Sequence, residues 1–168
     1  AEPQPVVITG MGLWTPLGAD RETTWQAMVS GRSASKRLSG PYWTGSDEMV
    51  GAPYWPCSPH TPFVRDPLVE LALQTARAAS DDAEIRWNDV DRERVGVVFG
   101  TSKGGLHTVS RLLDPLHSRA TEPGLKWLDV FPDAASRALV SEFDIHGPSM
   151  CPVLACATGL AACQRAAE

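Results

Sequence analysis

The segment that decides the fold is "GPSMCPVLACATGLAACQRAAE", residues 147–168. Its apolar run from Met150 to Leu154 predicts a buried strand, and the small, alanine-rich residues that follow predict a helix. Cys156 lies at the junction between the two. A strand, a tight turn and a helix in this order form an elbow that presents the turn residue at the end of a sheet.

Strands and helices alternate along the rest of the chain. Two apolar runs that end in glycine, Val6–Gly10 and Val95–Gly100, predict strands buried in a parallel sheet. Helical spacing and capping residues predict helices at Arg21–Val29 after Asp20, from Pro67 after Asp66 to the "SDD" at 80–82, at Leu106–Leu116 and at 133–143. This alternation predicts an α/β fold with a largely parallel sheet and flanking helices.

The inward face of the first two helices is predicted from residues that recur at helical spacing. In the first helix these residues are Thr24, Trp25, Met28 and Val29. In the second they are Leu68, Leu71, Ala72, Thr75, Ala76 and Ala79.

Composition predicts one globular domain over residues 1–168. The chain is 43% hydrophobic, and its 15 basic and 20 acidic side chains give a net charge of -5. It has no basic tail for nucleic acid, and no apolar run approaches the roughly 20 residues that cross a membrane. The opening "AEPQPVVITG" lacks the pattern of a secretory signal, so we expect a cytoplasmic protein.

Residues 32–64 differ in composition and are expected to form a proline-rich excursion within the domain. Pro53, Pro56, Pro59 and Pro62 stand three residues apart, which places them on one face of a polyproline II helix. The segment is either a ligand for a proline-binding module or an extended surface excursion that packs its aromatic side chains back on the domain.

Metal and nucleotide sites are weakly supported by the motifs. The cysteines, Cys57, Cys151, Cys156 and Cys163, have no zinc-binding spacing, and the histidines, His60, His107, His117 and His146, are scattered singly. Gly10 and Gly12 fill the first two positions of a dinucleotide-binding pattern, but Thr15 stands at the third. We therefore expect no metal and no cofactor, and a nucleotide-binding module is the weakest alternative.

Cys156 is the strongest candidate for reactive chemistry because of its position. The first turn of a helix favours a thiolate over a thiol, and the backbone N–H of Cys156 is suited to hold a developing oxyanion. The small residues after it leave room for a thioester. The alternative is that Cys156, like Cys151 and Cys163, is a small buried hydrophobic residue.

Several of these motifs, taken in order, resemble the N-terminal part of a β-ketoacyl-acyl-carrier-protein synthase of the thiolase superfamily. The matching segments are "VVITGMGLWTPLG", "TWQAMVSGRS", "RVGVVFGTSKGG" and "GPSMCPVLACATGLAACQRAAE". The resemblance implies an incomplete N-terminal half of a thiolase-like fold. It also implies that Cys156 takes an acyl group as a thioester before decarboxylative condensation with a malonyl-carrier thioester, in fatty acid or polyketide synthesis.

The same resemblance implies which partners the protein has and which catalytic residues are missing from residues 1–168. Acyl-carrier-protein thioesters are the expected partners, the complete protein is expected to be a homodimer, and nucleic acid and membranes are not expected partners. The family's site also uses two histidines and a lysine from a later half of the chain, so residues 1–168 alone are expected to be inactive. A non-catalytic subunit of the chain-length-factor type is the main alternative, although such partners generally replace the cysteine.

Four residues are expected near the acyl pocket or the oxyanion site: Lys103, Gly104, Ala157 and Thr158. Lys103 stands where the resemblance implies an apolar side chain that lines an acyl tunnel. Burial of an unpaired ammonium there would cost several kcal/mol. Either Lys103 points elsewhere, or the acyl group is short, polar or acidic.

Overall fold

The computed structural model of the chain describes residues 5–38, 50–52, 65–113 and 127–168. The helices in these ranges are α1 (Arg21–Val29), α2 (Pro67–Asp82), α3 (Leu106–Leu113), α4 (Ala134–Glu142) and α5 (Thr158–Ala167). The strands are β1 (Lys36–Arg37), β2 (Val50–Gly51), β3 (Val97–Val98) and β4 (Ser149–Met150). Single 3-10 turns lie at Trp87–Asp89, Arg92–Arg94, Trp127–Val130 and Ala155–Ala157. Within the described ranges, no helix is both long and apolar enough to cross a membrane.

The helix boundaries follow the capping residues. The carboxylate of Asp20 accepts a hydrogen bond from the Thr23 amide at 2.7 Å, and Gly31 ends α1 with a φ of +70°. Asp66 caps α2, whose first residue is Pro67. The predicted bounds of both helices are confirmed.

The predicted inward face of α1 is wrong except for Thr24. Thr24 and Ala27 are buried, whereas Trp25, Met28 and Val29 are 57%, 58% and 65% exposed. The hydroxyl of Thr24 pairs with that of Thr15 at 3.0 Å, so α1 is held by a small polar face. In the part of the chain that the structure describes, Trp25 and Met28 have no element to bury them.

The second and third predicted strands pair side by side. Val97 lies opposite Ser149 and Val98 opposite Met150 in a parallel arrangement. The amides of Val97, Phe99 and Thr101 donate, in that order, to the carbonyls of Pro148, Met150 and Pro152 at 2.8 to 3.3 Å. Donation from every second residue is the pattern of a parallel ladder. The parallel orientation is confirmed, and the assigned strands are shorter than predicted.

The core forms where α2 packs on α4. Its buried apolar residues are Val69, Ala72, Leu73, Ala134, Ala135 and Leu139. Val97 and Phe99 pack against this cluster from the β3 side. The predicted inward face of α2 is partly wrong. Ala72 is buried in this cluster, whereas Leu71, Thr75 and Ala79 are half-buried and are not members of it.

The first predicted strand, Val6–Gly10, is not formed. Val6, Val7 and Ile8 are 68%, 71% and 83% exposed. A strand requires a partner, and the described residues place none beside this segment. Instead, Gly10 and Gly12 lie against the backbone of α2, where an added β-carbon would overlap the carbonyl oxygens of Ala79 and Thr75.

The proline-rich excursion lies mostly outside the described residues. Within residues 32–64 the structure describes only 32–38 and 50–52, and there β1 pairs antiparallel with β2. The four regularly spaced prolines, Cys57 and the predicted end of the third helix at Leu116 are not described. The excursion and the domain bounds stay predictions.

Candidate active site

Cys156 lies exposed on a tight turn between β4 and α5. The Ala157 amide closes the turn by donating to the Leu154 carbonyl at 3.1 Å. Ala155 has a φ of +49°, a conformation that residues with a β-carbon rarely adopt. The structure thus places the sulfur at the strand-to-helix junction, and the first residue of α5 proper is Thr158.

Thr158 holds this turn through a buried hydroxyl. Its side chain is 5% exposed, and its Oγ1 accepts from the Leu154 amide at 2.9 Å. The same hydroxyl lies 2.9 Å from the Ala155 carbonyl and 3.5 Å from the Thr101 carbonyl, the two acceptors available to its proton. The Thr158 hydroxyl therefore binds the two residues that precede Cys156, Leu154 and Ala155, and its hydrogen bonds lie within the protein.

A glycine-rich loop, Thr101–Gly105, lies next to this elbow. Thr101 is buried and its amide donates to the Pro152 carbonyl at 3.3 Å, which ties the loop to the strand that leads to Cys156. The Gly104 amide donates to the Thr101 hydroxyl at 3.1 Å, and Gly104 has a φ of +74°. Sequence reasoning missed Thr101, although it continues the two-residue period of Val97 and Phe99.

Close packing at Gly100 joins the elbow to β3. A β-carbon there would lie 2.6 Å from Cγ2 of Thr158 and 3.2 Å from Cβ of Ala162. Glycine is required at this position because any side chain would push α5 away from the sheet. The carboxyl ends of β3 and β4 and the amino end of α5 consequently meet in one region.

The four predicted neighbours of Cys156 differ in their exposure. Lys103 and Ala157 are exposed, Gly104 is half-buried and Thr158 is buried. Since Lys103 is in water, it carries no burial penalty in this structure. The Thr101–Thr158 contact brings the Lys103 loop and the Cys156 turn together, while the roles of these residues stay predictions.

The other described cysteines have different surroundings. Cys151 is half-buried and its thiol donates to the Pro132 carbonyl at 3.3 Å. Burial raises the pKa of the Cys151 thiol, and the Asp133 carboxylate adds to this shift. Cys163 is exposed on α5, so the interpretation of all three as buried hydrophobic residues is wrong for Cys156 and Cys163.

Neither described histidine belongs to the turn that carries Cys156. His107 lies in α3, where burial lowers its pKa against the opposing effect of the Asp66 carboxylate. His146 precedes β4, and its hydrogen bond to Asp144, with Nε2 and Oδ1 3.1 Å apart, is the main cause of a raised pKa. In the described ranges, no three histidine, cysteine or acidic residues are grouped so as to hold a metal ion.

Asp66 caps two helices, α2 and α3, with one buried carboxylate. It is 3% exposed, and its Oδ1 accepts from the Leu68 amide at 2.9 Å at the start of α2. Its Oδ2 accepts from both the amide and the hydroxyl of Thr108 at 2.8 Å, in the first turn of α3. The sequence predicted the first cap but gave no signal for the second, because Thr108 is distant in the chain.

A cavity of about 250 Å³ lies away from the thiol. Its walls include Thr9, Gly10, Trp87 and Phe143, together with the first residues of the β3 segment. It therefore opens at the amino end of β3, whereas Cys156 follows the carboxyl end of β4. The described residues form no strand at Val6–Gly10 to lead into a phosphate-binding turn, which argues against the nucleotide-binding alternative.

These features define the class as an α/β protein that presents a cysteine on a strand-to-helix elbow beside a glycine-rich loop. The chain belongs to the β-ketoacyl synthase family, because residues 3–168 match the family described as "Beta-ketoacyl synthase, N-terminal domain".

Two curated relatives are named 3-oxoacyl-[acyl-carrier-protein] synthase 2. The relative from Coxiella burnetii is 30% identical over 171 residues, which cover 95% of this chain and 40% of that protein. The relative from Staphylococcus aureus strain N315 is 29% identical over 169 residues, which cover 92% of this chain and 39% of that protein. The chain thus spans about two fifths of the length of these relatives.

Solved structures of ketosynthases share the fold. A type II polyketide synthase acyl-carrier protein in complex with its ketosynthase matches with a TM-score of 0.80 at 20% identity, over 99% of this chain and 42% of that chain. A β-ketoacyl synthase from Burkholderia phymatum matches with a TM-score of 0.70 at 22% identity, over 96% and 42%. The ishigamide ketosynthase/chain length factor matches with a TM-score of 0.68 at 19% identity, over 88% and 39%. The predicted thiolase-like α/β fold is confirmed.

Proposed function

We propose that the complete protein containing these residues is a 3-oxoacyl-[acyl-carrier-protein] synthase, an acyltransferase in fatty acid or polyketide synthesis. The observation that carries the proposal is the exposed Cys156 on its elbow, in a chain of the β-ketoacyl synthase family. The names of the curated relatives support the same reaction.

The first step is transfer of an acyl group to Cys156. The Cys156 thiol gives up its proton and its thiolate attacks the carbonyl carbon of an acyl-carrier thioester; the carrier leaves as a thiolate and takes up that proton, and an acyl-cysteine thioester remains. Backbone N–H groups at the start of a helical turn lack intrahelical partners, so the Cys156 amide is suited to bind the oxyanion of this step.

The second step forms the carbon–carbon bond. A malonyl-carrier thioester loses carbon dioxide, and the electron pair of the broken bond forms an enolate. The enolate carbon attacks the acyl-cysteine carbonyl, and the Cys156 thiolate leaves. The product is a 3-oxoacyl-carrier thioester, and no external oxidant or reductant is consumed.

Residues 1–168 alone are expected to be inactive in the second step. The histidines and the lysine that the family resemblance implies for decarboxylation come from a later half of the chain and do not correspond to His107, in α3, or to His146, before β4. The proposed partners are acyl-carrier-protein thioesters, and the proposed location is the cytoplasm.

We also propose that the complete protein is a homodimer. Met150, Val153 and Leu154, in and after β4, are 50%, 46% and 55% exposed. In the described sheet, β4 pairs only with β3, so its other edge is open. A second copy of the chain is the partner that would cover this edge in a symmetric dimer.

A chain-length-factor subunit is the competing proposal, since one matching structure is a ketosynthase/chain length factor. Such a subunit shapes a partner's pocket and needs no nucleophile. The exposed Cys156, held by Thr158 on a strained turn, favours the catalytic proposal over this one.

Product formation tests the proposal. The complete protein is incubated with an acyl-carrier thioester and a malonyl-carrier thioester, and the carrier is analysed by mass spectrometry. We expect a 3-oxoacyl carrier with wild type and with Cys163→Ala, and none with Cys156→Ala. Equal product from Cys156→Ala, or product only after addition of a second synthase, would contradict it.

A further inference from the structure

Lys103 carries an exposed ammonium group on the loop that lies next to the elbow. Its side chain is exposed, and it forms no hydrogen bond or ion pair within the part of the chain that the structure describes. An ammonium group donates up to three hydrogen bonds and accepts none, so a partner for it must be an acceptor, best of all an anion.

The backbone that carries Lys103 is fixed on both sides. On one side, Thr101 is buried and bonded to both the Pro152 and Gly104 backbones. On the other side, Gly105 is buried, and an added β-carbon would overlap the Asp129 carbonyl oxygen. Lys103 is thus a flexible side chain on a loop whose backbone is fixed, and the fixed backbone limits the positions that its ammonium group can reach.

The loop and the elbow lie at the same edge of the sheet. Thr101 follows β3, Cys156 follows β4, and these strands are parallel neighbours. Ligands of α/β sheets bind at the carboxyl ends of the strands. The Thr101 carbonyl lies 3.5 Å from the Thr158 hydroxyl, so the loop that carries Lys103 lies beside the turn that carries Cys156.

We propose that Lys103 binds a carboxylate at the far end of the acyl group that Cys156 receives, so that the substrates are dicarboxylic acyl thioesters. The inference rests on the proposed function. An apolar acyl chain laid against Lys103 would desolvate the ammonium without a partner, which is unfavourable. A terminal carboxylate would pair with it.

Two other anions are less suited to this position. The carboxylate of a malonyl extender departs as carbon dioxide, so an ion pair with it would stabilise the ground state and oppose the reaction. A phosphate on the arm of the carrier lies at the end of the arm remote from the sulfur, whereas the acyl group is attached at the sulfur itself.

The experiment compares two N-acetylcysteamine thioesters of equal chain length, glutaryl and pentanoyl. Both lack phosphate, and they differ in the terminal carboxylate. The rate at which each labels Cys156 in the complete protein is followed by mass spectrometry. The variants are Lys103→Gln, Lys103→Glu and Lys103→Arg, with Lys36→Gln in β1 as a matched control for loss of an exposed lysine.

We expect wild type to accept glutaryl faster than pentanoyl. Lys103→Gln and Lys103→Glu should slow glutaryl labelling by about tenfold or more, as for loss of a charged hydrogen bond, and change pentanoyl labelling by less than about twofold. Lys103→Arg should keep the preference, and Lys36→Gln should change neither rate.

Equal effects of Lys103→Gln on both thioesters, or no effect on either, would overturn the inference while the proposed function stands. An effect of Lys103→Gln that appears only when the same two acyl groups are presented on the carrier protein would assign Lys103 to the carrier or its phosphate and overturn the inference as well. Absence of label from every thioester on wild-type Cys156 is a different result, which would overturn the proposed function.

Discussion

One hydroxyl holds the turn that carries Cys156. Thr158 accepts a hydrogen bond from the Leu154 amide and offers its own proton to carbonyls of the turn and of the neighbouring loop. We propose that this buried hydroxyl orients the elbow, and that Thr158 is a positioning residue.

Replacement of this hydroxyl is expected to weaken the elbow. Thr158→Val keeps the shape but leaves the Leu154 amide without its acceptor, which should lower the free energy of unfolding by about 1–3 kcal/mol. Acylation of Cys156 should slow, and Thr158→Ser should restore both values towards wild type. Denaturant unfolding and timed mass spectrometry measure them. A valine variant with wild-type stability and rate would show that the hydroxyl does not hold the turn.

At the scale of secondary structure, local signals were enough to predict where helices start and that the second and third predicted strands are parallel, but not the fate of the first predicted strand. Asp20 and Asp66 start helices through contacts within three residues, so α1 and α2 begin where the sequence predicts. Val6–Gly10 needs a distant partner to become a strand, and its composition cannot supply one. The prediction of the buried face of α1 was also wrong, because that face depends on which elements pack against Trp25.

The same distinction applies to the site. Cys156 was predicted from a local strand-turn-helix pattern. Thr101 and the second cap made by Asp66 were missed, because their partners are 57 and 42 residues away in the chain. Sequence order predicts which residue stands on the elbow, and only the fold identifies what holds it there.

Asp66 couples two helices and should be sensitive to a small change. Asp66→Asn keeps an oxygen for the Leu68 amide but cannot accept both Thr108 donors, so two buried donors lose their charged acceptor. We expect a loss on the order of 2 kcal/mol in the free energy of unfolding. Asp20→Asn, at the exposed single cap of α1, is the matched control and should cause a much smaller loss. Equal losses in the two variants would refute the double cap.

His146 should make stability depend on pH in the turn before β4. The Asp144 carboxylate raises the pKa of His146, with a further contribution from Glu93, so the folded protein favours the imidazolium. This stabilisation is complete below the unfolded pKa of about 6.5 and is lost as pH rises through the higher folded pKa. The pH dependence that His107 adds to stability has the opposite sign. Burial lowers the pKa of His107, so its contribution to stability is lost as pH falls.

The contribution of His146 to folding stability is measured by comparing wild type with a variant that lacks the imidazole. Urea midpoints of wild type and His146→Gln are compared at about pH 6 and about pH 8. The urea midpoint of wild type should exceed that of His146→Gln by more at the lower pH than at the higher pH. An advantage that is the same at both values, or larger at the higher one, would remove His146 from this role.

At the scale of the whole molecule, apolar surface marks the faces that need partners. Exposed apolar side chains occur at Val6–Ile8 and along the segment from Met150 to Leu160. The chain spans about two fifths of the length of its curated relatives, and the described sheets have open edges. Such surfaces are normally covered by other protein.

The edge of β4 is the surface proposed to pair in a homodimer. A charge at Val153 should prevent that pairing, so the complete protein should sediment as a dimer and Val153→Glu as a monomer. Val29→Glu places the same charge on α1, where Val29 is 65% exposed, and should remain dimeric. A monomeric wild type, or dissociation by both variants alike, would contradict the proposed interface.

Mass spectrometry of the acylated complete protein decides whether Cys156 carries the substrate. Incubation with an acyl-carrier thioester alone stops the reaction at the first step, and the tryptic peptide 138–165 then contains all three described cysteines. Fragment ions should place one acyl mass on Cys156 in wild type and in Cys163→Ala, and none in Cys156→Ala. An acyl mass on Cys151 or Cys163, or one that persists in Cys156→Ala, would contradict this assignment.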